Sequence, residues 1–245
     1  YKSIDCEITI ICNDEGNFGE DIPPYIKFIP VKMKRGISFK SLFTICKMVK
    51  IFKQNQFDLV QYSTPNASLY ASVASKIAKI KVRLYAQWGI YYVGQKGLKR
   101  TIFKYIEKKV CSNSTIIEPD SFGNMKFSIK EKLYSAEKSK VIWNGSACGV
   151  DIEKFKYESR NRWKNEVRSK YSIPMNSFLY GFVGRITKDK GIFELLNSFK
   201  LIYEINKHAR LIIIGSFENN NNNNNDKDEI IKWALNSSGV IFVNF

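Results

Sequence analysis

Residues 180–191 read YGFVGRITKDKG: an apolar run, a glycine, an arginine, then a lysine five positions later beside a second glycine. An amphipathic helical pattern follows at once, so Gly184, Arg185 and Lys190 sit at the mouth of a strand-to-helix turn. A helix N-terminus exposes unpaired N–H groups and favours anions. The planar, permanently charged fork of Arg185 suits phosphate oxygens, and Lys190 adds a mobile second charge. Two cations placed there cost stability unless an anion joins them. The chemistry this implies is binding of a phosphate-bearing ligand. Two solvated cations in a lysine-rich chain fit the same spacing. The segment is neither a Walker-type G-x-x-x-x-G-K-[ST] loop nor a G-x-G-x-x-G dinucleotide fingerprint, so it gives little support to a dehydrogenase.

Few other residues offer chemistry. Gln87-Trp88-Gly89 follows the strand pattern VRLYA, and α/β proteins place ligands in loops at the carboxyl ends of parallel strands. His208 is the single histidine and reads as a solvated helix-end residue. Five cysteines (Cys6, Cys12, Cys46, Cys111, Cys148) contain no CxxC pair. Zinc takes about four N/S ligands, so no metal site is expected, and the odd, scattered count points to reduced thiols.

The elements that must position these residues alternate in type. Strand patterns cover 6–12, 26–31, 57–62, 82–86, 114–118, 140–143, 178–183, 211–214 and 240–243. Helical patterns run from Ser38, a candidate N-cap, to about residue 53, and over 65–80, 98–110, 153–170, 190–206 and 226–236. In the first, Phe39, Leu42, Phe43, Cys46, Val49, Ile51 and Phe52 are expected on one side. Ile192, Leu195, Leu196, Phe199 and Ile202 recur at steps of three and four. Strands alternating with helices predict βαβ units and parallel sheets. A change of texture near 145–152 divides the chain into two doubly wound units, 1–147 and 148–245. The asparagine run Asn219–Asn225 reads as a surface loop.

The chain of 245 residues is 44% hydrophobic and 25% charged, a globular mix, with no apolar run long enough to span a bilayer. The net charge of +16 suits nucleic acid, an anionic membrane face or phosphate-bearing substrates. A compositional bias toward Lys, Asn and Ile accounts for the same number. No RRM motif, zinc finger or basic recognition helix is present, which argues against a nucleic-acid partner.

The stretch FVGRITKDKGIFELLNSFKLIYEINKHARLIIIG closely resembles the start of the second domain of GT-B retaining glycosyltransferases of family four, the glycosyl transferases group 1. VIWNGSACGVDIEKF resembles that family's domain-crossing segment, and FDLVQYSTP and RLYAQWG resemble strands of its first domain. The resemblance covers nearly the whole chain and is closest to bacterial enzymes of capsule, O-antigen or exopolysaccharide assembly. It implies two Rossmann-like domains: residues 1–147 on the acceptor side, without a first strand, and residues 148–245 as an incomplete nucleotide-sugar-binding domain. It implies transfer of a sugar from a UDP- or GDP-sugar to a glycan or lipid-linked saccharide, with retention and with no metal or other cofactor. Gly184, Arg185 and Lys190 match the donor diphosphate site, and Arg185 and Lys190 match the pair that stabilises the leaving group.

Many relatives carry a histidine where this chain has Gln87-Trp88-Gly89. On the acceptor side Gln87 can then hydrogen-bond a sugar hydroxyl and Trp88 can stack on a sugar face. The alternatives are a solvated Gln87 and a core Trp88. The family also extends beyond both ends of the chain, including a pair of donor-binding glutamates, so the chain is expected to be an internal fragment, inactive alone. The basic helices 38–53 and 98–110 suit the anionic inner face of the membrane, which would give a cytoplasmic, peripheral location, and they suit an ordinary solvated helix face equally well. The missing histidine keeps a second class open, a GT-B-shaped binding protein without catalysis.

Overall fold

The computed structural model describes residues 5–14, 18–33, 40–147, 149–217, 230–231, 233 and 238–243. Short β-branched and aromatic runs form strands β1 (Ile8–Cys12), β2 (Ile26–Pro30), β3 (Leu59–Tyr62), β4 (Val82–Gln87), β5 (Ile116–Pro119), β6 (Phe178–Val183), β7 (Ala209–Ile214) and β8 (Val240–Val243). The helices are α1 (Lys40–Asn55), α2 (Pro65–Ile77), α3 (Gly97–Asn113), α4 (Phe122–Lys130), α5 (Arg160–Lys170) and α6 (Ile192–Ile205). The chain divides into two units, Tyr1–Gly149 and Val150–Phe245.

In the first unit β1 pairs in parallel with β2, and β3, β4 and β5 form a second parallel sheet in that order. Helices α2 and α3 are the crossovers that a parallel order requires. Pro65 opens α2 at a position where its missing N–H costs nothing. The buried small residues Ala71, Ser72, Ala74 and Ser75 let α2 pack closely on its neighbours α1 and α3. A cavity of about 240 Å³ lies between β1 and β3, lined by Thr9 and Ile11 on one side, Leu59 and Gln61 on the other, and Met48 and Phe52 of α1.

In the second unit β6, β7 and β8 form a parallel sheet in sequence order, with Val183 opposite Ile214 and Ile214 opposite Val243. Central β7 is apolar except at Arg210, and its Ala209, Leu211, Ile212 and Ile213 are buried. Ile192, Leu196 and Phe199 of α6 are buried on the expected helical period. Each contributes about 1.5–3 kcal/mol relative to exposure, which pins the start of α6 to the sheet.

Four expectations change. In α1 the buried side chains are Met48, Ile51 and Phe52, while Leu42, Phe43 and Cys46 face solvent. Residues 140–143 are not a strand. Ser139 bridges Ile117 and the Lys140 N–H reaches the Ile117 carbonyl at 3.0 Å, but Pro119 lacks the N–H that would return the next bond. Trp143 is then 90% exposed in a left-handed turn. Helix α4 was hidden by Gly123 and weak periodicity; Ser121 caps it, accepting from the Asn124 N–H at 3.2 Å. The charged stretch 153–170 is regularly α-helical only as α5. Ser38, the asparagine run and most of 226–236 lie outside the described residues. No helix among the described residues is long and apolar enough to cross a membrane.

Candidate functional site

Strand β6 ends at Val183 and the chain stays zipped to β7 for three residues more. The Gly184 N–H donates to the Ile214 carbonyl and the Ile186 N–H to the Ser216 carbonyl, each at 3.0 Å. Gly215 has no side chain because the Gly184 carbonyl occupies its place: a Cβ there would lie 1.9 Å from that oxygen. Ile186 and Thr187 are buried and anchor the loop. A single 3-10 turn, Lys188–Lys190, follows, and Gly191 adopts a left-handed conformation (φ 74°) before α6 starts at Ile192. The loop expected between 183 and about 190 therefore runs on to Gly191. Its glycine is needed because a β-carbon is strained at that φ.

Arg185 and Lys190 project from this loop, 50% and 48% exposed. The side chain of Asp189 stands between them. Its Oδ2 is 3.6 Å from the Arg185 guanidinium and 3.8 Å from Lys190 Nζ. The nearby Thr187 hydroxyl first, and then the charges of Arg185 and Lys190, hold the Asp189 carboxyl below its usual range. Asp189 gives the two cations a counter-ion within the loop, so their proximity alone does not demand a ligand. These long, exposed pairs are weak, on the order of 0–1 kcal/mol. They nevertheless show both cations reaching one anionic oxygen. Thr187 Oγ1, buried beneath them, makes no well-formed hydrogen bond.

In the first unit, Gln87 ends β4 and is fully buried (0% exposed). Its Nε2 donates to Glu107 Oε1 at 2.7 Å, and its Oε1 accepts from Tyr134 Oη at 2.9 Å and Ser128 Oγ at 3.1 Å. Both readings of Gln87, sugar contact and solvated residue, are corrected: the amide is committed inside the core. Glu107 also accepts from Tyr85 Oη at 2.9 Å, and burial raises its carboxyl pKa. Burial likewise raises the Tyr134 phenol to about 12. Trp88, 45% exposed, is not a core aromatic, and nothing crowds Gly89. The Gln87 carbonyl accepts from the Asn124 side chain at 3.0 Å and the Asp120 N–H at 3.3 Å. The Asp120 carbonyl in turn accepts from the Ser146 N–H at 2.6 Å. The ends of β4 and β5 and the turn at 144–146 thus converge.

Glu107 was missed, although it is the one acidic residue of a lysine-rich helix, on the face shared with Phe103 and Val110. Among the described residues no group of three or more His, Cys, Asp or Glu side chains is placed to hold a metal. His208 is exposed, just before β7. Cys12, Cys46 and Cys111 are free thiols.

Two family models match the chain: Glycosyl transferase 4-like over residues 2–121 and Glycosyl transferases group 1 over residues 164–245. The capsular polysaccharide biosynthesis glycosyltransferase CapM of Staphylococcus aureus is 31% identical over 218 residues, 86% of this chain and 54% of that protein. The chain spans about half the length of the curated relatives it matches. Among solved structures, a glycosyltransferase from Rickettsia africae superposes with a TM-score of 0.70 at 15% identity, over 99% of this chain and 61% of that one. HepE of Anabaena, in complex with UDP and glucose, gives 0.66 at 18% identity, over 90% and 56%. These likenesses show the fold, the α/β GT-B class.

Proposed function

We infer that this chain, which belongs to the glycosyltransferases of the 4-like and group 1 families, carries part of an enzyme that moves a sugar from a nucleotide-sugar donor to a glycan or lipid-linked saccharide in cell-surface polysaccharide assembly. The observation that carries this is the convergence of Arg185 and Lys190 on one carboxylate oxygen, on a loop tied by the Ile186 N–H to the Ser216 carbonyl. In the reading proposed here a phosphate oxygen of the donor takes the place of Asp189 Oδ2.

Transfer breaks the bond between the anomeric carbon and the β-phosphate oxygen and forms a bond from that carbon to the acceptor oxygen. The acceptor proton passes to the departing diphosphate. Negative charge grows on that diphosphate, and fixed cations aimed at it lower the barrier. Arg185 and Lys190 supply them without a metal. Attack on the face the phosphate leaves retains the anomeric configuration. The names of the relatives support a polysaccharide product, and the UDP in HepE supports a nucleotide donor.

Trp88 and Gly89 serve the acceptor side, Trp88 by stacking on a sugar face. Exposed Leu98, Ile102 and Tyr105 lie along α3 beside exposed Lys99, Lys108 and Lys109. Apolar side chains among lysines suit the headgroup layer of an anionic membrane, which supports a lipid-linked acceptor and a peripheral position on the cytoplasmic face.

Calorimetric titration of the chain with UDP and GDP tests the donor role. A charge-assisted contact is worth roughly 1.5–3 kcal/mol, so Arg185→Ala and Lys190→Ala should each weaken binding about tenfold or more. EDTA should leave it unchanged. Near-wild-type affinity in both variants, with intact circular dichroism, would refute the assignment.

A further inference from the structure

We propose that Gln87 and Glu107 form a buried positioning pair that sets the Trp88–Gly89 and Asp120–Ser121 loops; the proposal rests on the acceptor-side reading of Trp88. Gln87 is held from three directions by its side chain: Glu107 of α3, Ser128 of α4 and Tyr134 beyond it. Its amide has one workable orientation, since reversal would set its oxygen against the Glu107 carboxylate. With the side chain locked, its carbonyl becomes a fixed acceptor for the Asp120 N–H and Asn124 Nδ2. Asn124 and Ser121 both donate to Asp120 Oδ1 at 3.1 Å, which fixes that carboxylate as well. Beyond Gln87 the strand breaks sharply, with the Trp88 N–H turning back to the Ala86 carbonyl at 3.1 Å.

The loops therefore depend on a bond made in the core. Glu107 is a costly way to make it. Among the described residues no Lys or Arg pairs with it, and Lys104, on the same helix, instead bridges to Glu131 at 2.7 Å. An apolar residue on that face would pack without desolvating a carboxylate. What an apolar residue could not do is receive the Gln87 amide and the Tyr85 hydroxyl together. The pair gives direction where hydrophobic packing would give only closeness.

The experiment uses the chain in a background with Trp143→Phe, Trp163→Phe and Trp233→Phe, leaving Trp88 as the one fluorophore. Acrylamide quenching reports how Trp88 is held. Gln87→Leu and Glu107→Leu should each raise the quenching constant about twofold. Glu107→Gln keeps an acceptor oxygen at the same place and should restore the wild-type value, a rescue that a volume effect would not produce. UDP affinity should stay at the wild-type value in all of them, because the proposed donor residues lie in the other unit. Wild-type quenching in a folded Gln87→Leu overturns the pair. So does a rise in which Glu107→Gln behaves like Glu107→Leu, or in which UDP affinity falls alongside. If Gln87→Leu does not fold, Tyr134→Phe decides: it removes one donor to Gln87 and keeps the ring, and unchanged quenching there overturns the proposal. A chain that binds no UDP would defeat the donor reading while the quenching result still stands.

Discussion

Substitution Gly215→Ala puts one methyl group where the structure has a backbone oxygen. The added Cβ would lie 1.9 Å from the Gly184 carbonyl oxygen and 2.9 Å from its carbon. A carbon–oxygen contact settles at about 3.3 Å, so the two strands must separate by roughly 1.4 Å at this point. No flexible side chain can yield, because the obstacle is backbone. That backbone is tied by Gly184 N–H to Ile214 and Ile186 N–H to Ser216, both at 3.0 Å. Overpacking costs about 1–3 kcal/mol, and each ladder bond lost adds about 1 kcal/mol. For a unit of this size, 1 kcal/mol moves the melting midpoint by roughly 4–8 °C, so a fall of at least about 10 °C is expected. Arg185 follows Gly184 directly and would shift by about the same distance, which under the proposed donor role should weaken UDP binding about tenfold or more. Thermal unfolding by circular dichroism and UDP calorimetry measure the two effects. Gly181→Ala is the control: its Cβ would meet only Ile212 Cγ2, at 3.9 Å, so it should melt at or slightly above wild type. A Gly215→Ala protein that melts like wild type, or two variants that fall equally, would refute the close-approach argument.

Asp189→Asn removes the built-in competitor for Arg185 and Lys190 and should tighten UDP binding about two- to tenfold in calorimetry, with little change in melting. Because the native Asp189 carboxyl is depressed, its small contribution to stability is present above its unfolded pKa and is lost as pH falls through the lower folded value; a pH series of melting curves should show that dependence vanish in Asp189→Asn. Arg168 is buried, with its guanidinium bonded to the Ser177 hydroxyl at 3.0 Å, the Ser177 carbonyl at 3.1 Å and the Pro174 carbonyl; Arg168→Ala should cost about 3 kcal/mol, and Arg168→Lys, lacking the planar fork, should not restore it in a denaturant titration. Vesicle co-sedimentation should show binding to anionic but not neutral lipid, weakened by Leu98→Asp or Lys99→Glu; equal binding to both lipids sinks the electrostatic membrane reading.

Periodicity and punctuation were enough to place most elements. The period of α6 and the apolar run of β7 follow from local preference and burial, which act residue by residue along the chain. Family resemblance likewise reads directly from the G-R…K-G spacing. Three of the failures share one cause, which is that burial of a particular face is decided by what lies opposite. The 42–46 segment of α1 looks as apolar as 48–52, but it packs only Ile45 against the core, whereas 48–52 buries Met48, Ile51 and Phe52. Val141 and Ile142 look like a strand, and Pro119 on the neighbouring strand denies it a ladder. Gln87 is polar and follows a strand, so its sequence context suggests a ligand contact; Glu107, twenty residues away, takes its amide instead. The sequence by itself determined the alternation of strands and helices, the family, and the presence of two cations near a turn. Tertiary structure alone decided which polar groups are spent inside the core and which remain for a ligand. A hydrogen bond needs its partner within about 3 Å, and such proximity between distant residues is a property of the folded chain, invisible to local composition.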